Sequence, residues 1–256
     1  MQEKIRAEII SFIANYPHAG ETGWFEPLTA FAAAGDPLFA RLKDLASPTH
    51  CLPADFLEEA ETVITYFLPF HREVVESNIK GRYSSKTWGL SYIETNKAIA
   101  ALNEHLQKYL VELCFKTVYV PATHNFDERT LLSDWSHRSA AYIAGLGTFG
   151  LNHMLITEKG CCGRIGSLIT DLKIAPTARP QLEYCLYKAN GSCGRCVKKC
   201  VNHALHFDLL DKHKCYEMCL INSDRLKKLE SIADVCGKCL VGVPCSQKIP
   251  RDEKAL

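Results

Sequence analysis

An α/β (α+β) fold in two parts, residues 1–177 and 178–256, is what this sequence predicts. Three observations point to it. Helical and strand periodicities mix through about residue 175. The run APTARP then breaks the texture as a linker would. Finally, the 13 cysteines are unevenly placed: only Cys51 and Cys114 fall in the first 160 residues, Cys161 and Cys162 are adjacent, and nine lie between 185 and 245.

The elements follow in order. Ile5, Ile9, Phe12, Ile13 and Tyr16 make a helical stripe over residues 3–16. PHAGETGWFEPL reads as an irregular loop. Asp55 is placed to cap a short helix running through Ala60. TVITYFLPF is β-branched and aromatic and reads as a buried strand. Residues 92–115 predict a long helix, with Ile93, Ile99, Leu102, Leu106, Leu110 and Leu113 recurring at spacings near three and four. KTVYVPA is a second strand. SDWSHRSAAYIAG reads as a capped helix closed by Gly145. LNHMLIT and RIGSLIT are two more strands about the turn EKGCCG. Beyond residue 180 there is little apolar periodicity, so metal clusters would have to substitute for a core. Cys51 and Cys114 are expected to be buried apolar residues.

Composition narrows the classes. The chain has 256 residues, 47% of them hydrophobic and 23% charged, enough to bury a core. A formal net charge of +1 predicts no bulk attraction to nucleic acid or to an acidic membrane. The start, MQEKIRAEII, lacks a signal pattern, and no stretch is apolar enough to span a bilayer. The expected location is the cytoplasm, where cysteine-rich segments more often hold metal than form disulfides.

SCGRCVKKC holds Cys193-x2-Cys196-x3-Cys200, a spacing that aims several thiolates at one centre and suits an iron–sulfur cluster. Cys185 precedes it. A second group, Cys236-x2-Cys239-x5-Cys245, follows, with Cys215 and Cys219 between. In two-cluster ferredoxins the last cysteine of each run ligates the other cluster. That crossover predicts one set of Cys185, Cys193, Cys196 and Cys245, and another of Cys200, Cys215, Cys236 and Cys239. Paired C-x2-C units also make zinc ribbons, so a zinc-stabilised binding module is the rival. Cys219 is either a spare thiol or a substitute for Cys215. Cys161 and Cys162 are either small buried residues or, for one of them, a wall of the pocket.

LLSDWSHRSAAYIAGLGTFGLNHMLI, GRIGSLITDLKI, SCGRCVKKCVNHAL, LLDKHKCYEMC and CGKCLVGVPC together resemble the epoxyqueuosine reductases, cobalamin-dependent iron–sulfur enzymes of tRNA modification related to the reductive dehalogenases. The likeness covers roughly residues 131–245. It implies a nitroreductase-like domain that holds cobalamin, with FMN as the less favoured occupant, followed by a two-cluster ferredoxin-like domain. This chain departs from the family pattern in several places. Asn190 stands where the family has its first cluster cysteine, so Cys185 takes that role. Val201 replaces a proline, Leu151 a lysine, and GCCGRIG an aromatic stretch that wraps the corrin. The family's C-terminal helical-repeat domain is also missing, which makes tRNA an unlikely substrate.

Candidate cofactor-site residues are Gly145, Gly147, Gly150, Asn152 and His153. The glycines would admit a planar cofactor, or else serve as a helix end and turn; they follow a helix, which excludes a dinucleotide fingerprint. His153 is a neighbour of the cofactor or a packing residue. Asp134 falls on the family's catalytic acid in a VDTAP-like motif. It would act as a proton donor tuned by burial, or as a helix N-cap, or both. His137 and Arg138 lie within a turn of it.

The function implied is an oxidoreductase that takes electrons from reduced ferredoxin or flavodoxin. They would pass through two [4Fe–4S] clusters to cobalamin and then to a small-molecule substrate. The alternative is an electron-transfer protein or reactivase that reduces a partner's corrinoid.

Overall fold

Helix α1 forms because its apolar residues share one face. In the computed structural model, which describes residues 1–17, 22–121, 126–229 and 231–251, α1 spans Gln2–Asn15 and buries Ile5, Ile9 and Ile13. Part of the expected loop, residues 18–21, and the last residue of the KTVYVPA strand, 122, lie outside the described residues. Strand β1 (Leu28–Ala33) and helix α2 (Pro37–Leu45) come next. LTAFAA is too alanine-rich to read as a strand, and pairing with its neighbour decides its state. Asp36 caps α2, accepting from the Leu38 N–H at 3.0 Å, with Pro37 in the first helical position. Helix α3 (Pro53–Phe56) ends before Ala60, and Asp55 lies inside it rather than at its cap. Its carboxylate reaches back to the Leu52 N–H at 2.7 Å.

Strand β2 (Thr62–Pro69) is buried throughout. Helix α4 (Arg72–Ser77) leads to α5 (Lys86–Glu112), which starts earlier than its apolar pattern because Ser85 caps it through the Trp88 N–H. Cys114, just beyond α5, is exposed and takes a φ of 66°, and Cys51 is half-buried, so neither is the buried apolar residue expected.

Short strands β3 (Thr117–Tyr119), β4 (Phe126–Asp127) and β5 (Leu132–Ser133) precede α6 (His137–Ile143). A hairpin of β6 (Gly147–Phe149) and β7 (Leu155–Thr157) leads to β8 (Gly163–Thr170). The main sheet runs β1-β2-β8-β3, antiparallel throughout. Alternation sorts its side chains. Phe31, Ile64, Tyr66 and Leu168 face α1 and α5, while Ala30, Val63, Phe67 and Ile169 face α2 and α6. Among the described residues no helix is long and apolar enough to cross a membrane.

The cysteine-rich segment adds α7 (Leu186–Asn190), α8 (Arg195–Lys199) and α9 (Lys212–Arg225). Its core is shared with the first part: Phe70, Val75, Trp88 and Ile156 pack with Cys185, Cys196, Leu205 and Val241.

Helix α6 has a different cap from the one expected. Ser136 is the N-cap and accepts from the Ser139 N–H at 3.2 Å. His137 then points into the core. Its Nε2–H donates to the Pro121 carbonyl at 3.1 Å, so Nδ1 accepts from the Ser167 hydroxyl at 2.8 Å, and Trp135 Nε1–H donates to the same hydroxyl at 3.0 Å. Burial holds His137 at a pKa of about 4.

Two outcomes follow. Ser136→Ala should cost about 1 kcal/mol of unfolding free energy, whereas Asp134→Ala should cost nothing through capping; urea melts of both variants check this. The His137 pKa is depressed below its unfolded value of 6.5. Its stabilising contribution is therefore complete above 6.5 and is lost as pH falls toward 4. Between about pH 7 and about pH 5 the wild type should lose roughly 2 kcal/mol more than His137→Gln, whose side chain does not titrate. Equal pH slopes for the two proteins would refute it.

Candidate functional site

Four of the cysteines meet although they come from three stretches of chain. Cys185 caps α7, Cys193 and Cys196 flank the start of α8, and Cys245 arrives on the turn after Val243. All four line one small space, together with Gly150, Leu151 and Asn152. The Leu151 N–H donates to Cys185 Sγ at 3.4 Å. Burial, followed by the nearby Cys245, pushes the Cys196 thiol up to about 11, with Cys185 and Cys193 adding to the effect.

The other four also influence one another. Burial raises Cys236 to about 11, and Cys215 and Cys200 contribute. Cys239 is raised by burial and then by Cys236, Cys215 and Cys200. Cys200 Sγ accepts the Ala204 and Leu205 N–H groups at 3.2 and 3.3 Å. On α9, the hydrogen bond from Cys219 lowers the pKa of the Cys215 thiol, helped by the charge of Arg138. Cys219, one turn on, thus supports Cys215 directly.

Each set crowds thiols so that ionising one opposes ionising the next. A positively charged inorganic centre removes that opposition, since a coordinated thiol is deprotonated outright. Among the described residues no three His, Cys, Asp or Glu side chains meet closely enough to hold one ion. A cube-shaped cluster offers four separate iron corners, so its thiolates stand further apart than the ligands of a single zinc. The four thiols that border one space are the donor chemistry such a cluster takes.

Cys161 and Cys162 are buried beside the first set. The Cys161 N–H donates to the Cys245 carbonyl at 2.9 Å and the Cys162 N–H to that of Ser246 at 3.0 Å. Asn152 Nδ2 lies 3.9 Å from Cys161 Sγ. Nothing local in the sequence signals this contact, because its partner arrives from the far end of the chain.

The expected cofactor residues are dispersed. Gly150 and Asn152 border the cysteine cavity. Gly147 lies inside the β6–β7 hairpin, where a Cβ would strike the Ile156 carbonyl. Gly145, at φ +90°, closes α6 and admits the Ala178–Arg179 backbone. It borders a separate groove along β1 with Arg6, Thr29 and Glu158. The glycines thus seat protein against protein. His153 is exposed, with its carbonyl accepting from Arg138 Nη1 at 2.8 Å. Partial burial lowers its pKa, followed by the charges of Arg138, Lys188 and Lys212.

Asp134 is exposed and accepts from the Thr49 hydroxyl. Burial, its expected means of tuning, is absent. Its charge acts on His50 and Cys51, whereas the charges acting on Cys215 are those of Arg138 and Asp211. Arg138 also lies near Arg164, whose guanidinium sits 4.4 Å over the Tyr92 ring. Sequence reasoning leaves Arg164 unnoticed, because a strand arginine carries no motif.

No protein-family model matches this chain, and no curated protein matches it. Solved structures do. The epoxyqueuosine reductase of Streptococcus thermophilus aligns over 98% of this chain and 68% of its own, at 18% identity and a TM-score of 0.59. A selenomethionine-labelled epoxyqueuosine reductase covers 95% of this chain and 66% of its own, at 18% identity and a TM-score of 0.60. An epoxyqueuosine reductase with an epoxyqueuosine-modified tRNA-Tyr stem loop covers 96% and 65%, at 16% identity and a TM-score of 0.58. This chain spans about two thirds of their length, and over nearly all of its own it has an epoxyqueuosine reductase-like fold.

Proposed function

We propose that this chain is an iron–sulfur oxidoreductase. One [4Fe–4S] cluster would be held by Cys185, Cys193, Cys196 and Cys245, and a second by Cys200, Cys215, Cys236 and Cys239. When bound, such clusters supply one-electron transfer at low potential. The observation that carries the reading is the single cavity lined by the first four cysteines. Cys200, whose sulfur accepts two N–H groups, supports the second set. A zinc-stabilised module is the rival reading, since paired C-x2-C units also make zinc ribbons.

In this reading residues 1–177 form the nitroreductase-like cofactor domain and 178–256 the ferredoxin-like one. The cofactor is cobalamin before FMN. Its recognition is assigned to the region of Arg138, Asn152 and His153 more than to Gly145 and Gly147, whose open sides protein fills. Arg138 would hold anionic character there. Asp134 would deliver a proton only from the solvent-facing side, where Thr49 orients its carboxylate. The net charge of +1 supports a small-molecule substrate over the tRNA seen with one similar structure.

Iron analysis of anaerobically purified protein tests the assignment. Cys193→Ala and Cys200→Ala should each lose about half of the iron, from different clusters. Cys185→Ala should match Cys193→Ala. A folded variant that keeps its full iron content, or a colourless wild type that contains zinc, would refute the reading.

A further inference from the structure

We propose that the surface over Tyr187, Gly194 and Phe207 is the docking site of a small acidic electron-carrier protein. The inference rests on the iron–sulfur reading and supplies the place where its electrons come in.

An exposed apolar centre carries the geometry. Phe207 and Leu209 are 49% and 51% exposed on the tight turn between Leu205 and Leu210. The Phe207 ring lies over Gly194, where a Cβ would meet it, and packs on Tyr187 with centroids 5.2 Å apart. Tyr187 and Gly194 are at the same time walls of the cavity that holds Cys193 and Cys196. The outer apolar patch and the first cysteine set are thus two sides of one thin wall. Gly194 has no side chain to thicken it.

Charge selects the partner. Between Cys185 and Cys215 the chain carries Lys188, Arg195, Lys198, Lys199, Lys212 and Lys214 against only Asp208 and Asp211. Asp211 is occupied in capping α9 and pairing with Lys214. Lys188 follows Tyr187 directly, and Arg195 follows Gly194. Lys198 shares the Arg195 face of α8 at i+3, and all three are exposed. In a chain of net charge +1, this is a local basic rim around an apolar centre, the arrangement of a protein-recognition patch. A nucleic acid would use the rim but would not need two protruding aliphatic and aromatic side chains beside a redox wall. The step balances as one electron leaving the carrier's reduced centre and one entering the oxidised cluster, with no bond made and no proton moved.

An acidic flavodoxin serves as the probe, with the holo protein kept anaerobic. Binding should be measurable at low ionic strength and should weaken with salt. Lys188→Glu combined with Lys198→Glu should weaken it by roughly tenfold or more. Leu209→Ser should weaken it without changing the salt slope. Reduction by flavodoxin hydroquinone should slow in parallel, while dithionite, which needs no docking surface, reduces wild type and variants alike. Unchanged flavodoxin affinity in the charge-reversed variant overturns the proposal. So does a charge dependence found for an RNA stem loop but not for flavodoxin. Charge-dependent flavodoxin binding by a wild type that dithionite cannot reduce would keep the surface and refute the cluster reading instead.

Discussion

The arrangement of the cysteines depends on how residues 233–246 return to the first half of the chain. Lys238 is buried, and its ammonium donates to the carbonyls of Asn78 and Lys80 at 2.7 and 2.8 Å. Asn78 in turn donates to the Cys236 carbonyl at 2.9 Å, and Ser84 to that of Val235 at 2.9 Å. A buried cation without such partners would cost several kcal/mol, so the segment has essentially one place to sit. From there Cys236 and Cys239 face Cys200 and Cys215, and Cys245 reaches Cys193 and Cys196. The Cys161–Cys245 backbone pairing locks the far end of the same segment. The grouping of these cysteines is thus set by docking between distant segments and not by local loop geometry.

This docking also explains how a segment with so little apolar periodicity stays ordered. Helices α7 and α8 are five residues each, and α7 buries none of its side chains. Short helices of that kind do not persist alone. They are held by Cys185, Cys196, Leu205 and Val241, which share a core with Trp88 and Phe70. An inorganic centre bound to those thiols would add the cross-links that a small apolar core lacks.

Much of this was legible in the sequence, for stated reasons. The α1 stripe, β2 and the α5 pattern are strong because buried periodicity spans the whole element. β1 and α2 were hidden by alanine content and short length, although Asp36–Pro37 is a readable helix start. The α6 helix was legible but its cap was not: Ser133, Asp134 and Ser136 all have capping side chains, and only the path of the chain into the helix selects Ser136. Spacing and crossover put Cys185, Cys193, Cys196 and Cys245 in one set, and all four border one space. The surroundings of Cys161, Cys162 and Arg164 are not readable in this way, because tertiary pairing sets what they touch.

The glycine motif shows the limit of analogy most clearly. AGLGTFG suggests a place where a flat cofactor approaches backbone, and glycine does permit that. It equally permits one segment of protein to approach another. At Gly145 the approaching group is the Ala178–Arg179 backbone, and at Gly147 it is the Ile156 carbonyl. Where protein fills the open side of a glycine in this way, holding any further group would fall to side chains with charge and reach. Arg138 has both: it bonds the His153 carbonyl, acts on Cys215 and lies near Arg164. It therefore links the cysteine-rich segment to the start of β8. A cation in that position is chemically suited to a negatively charged group.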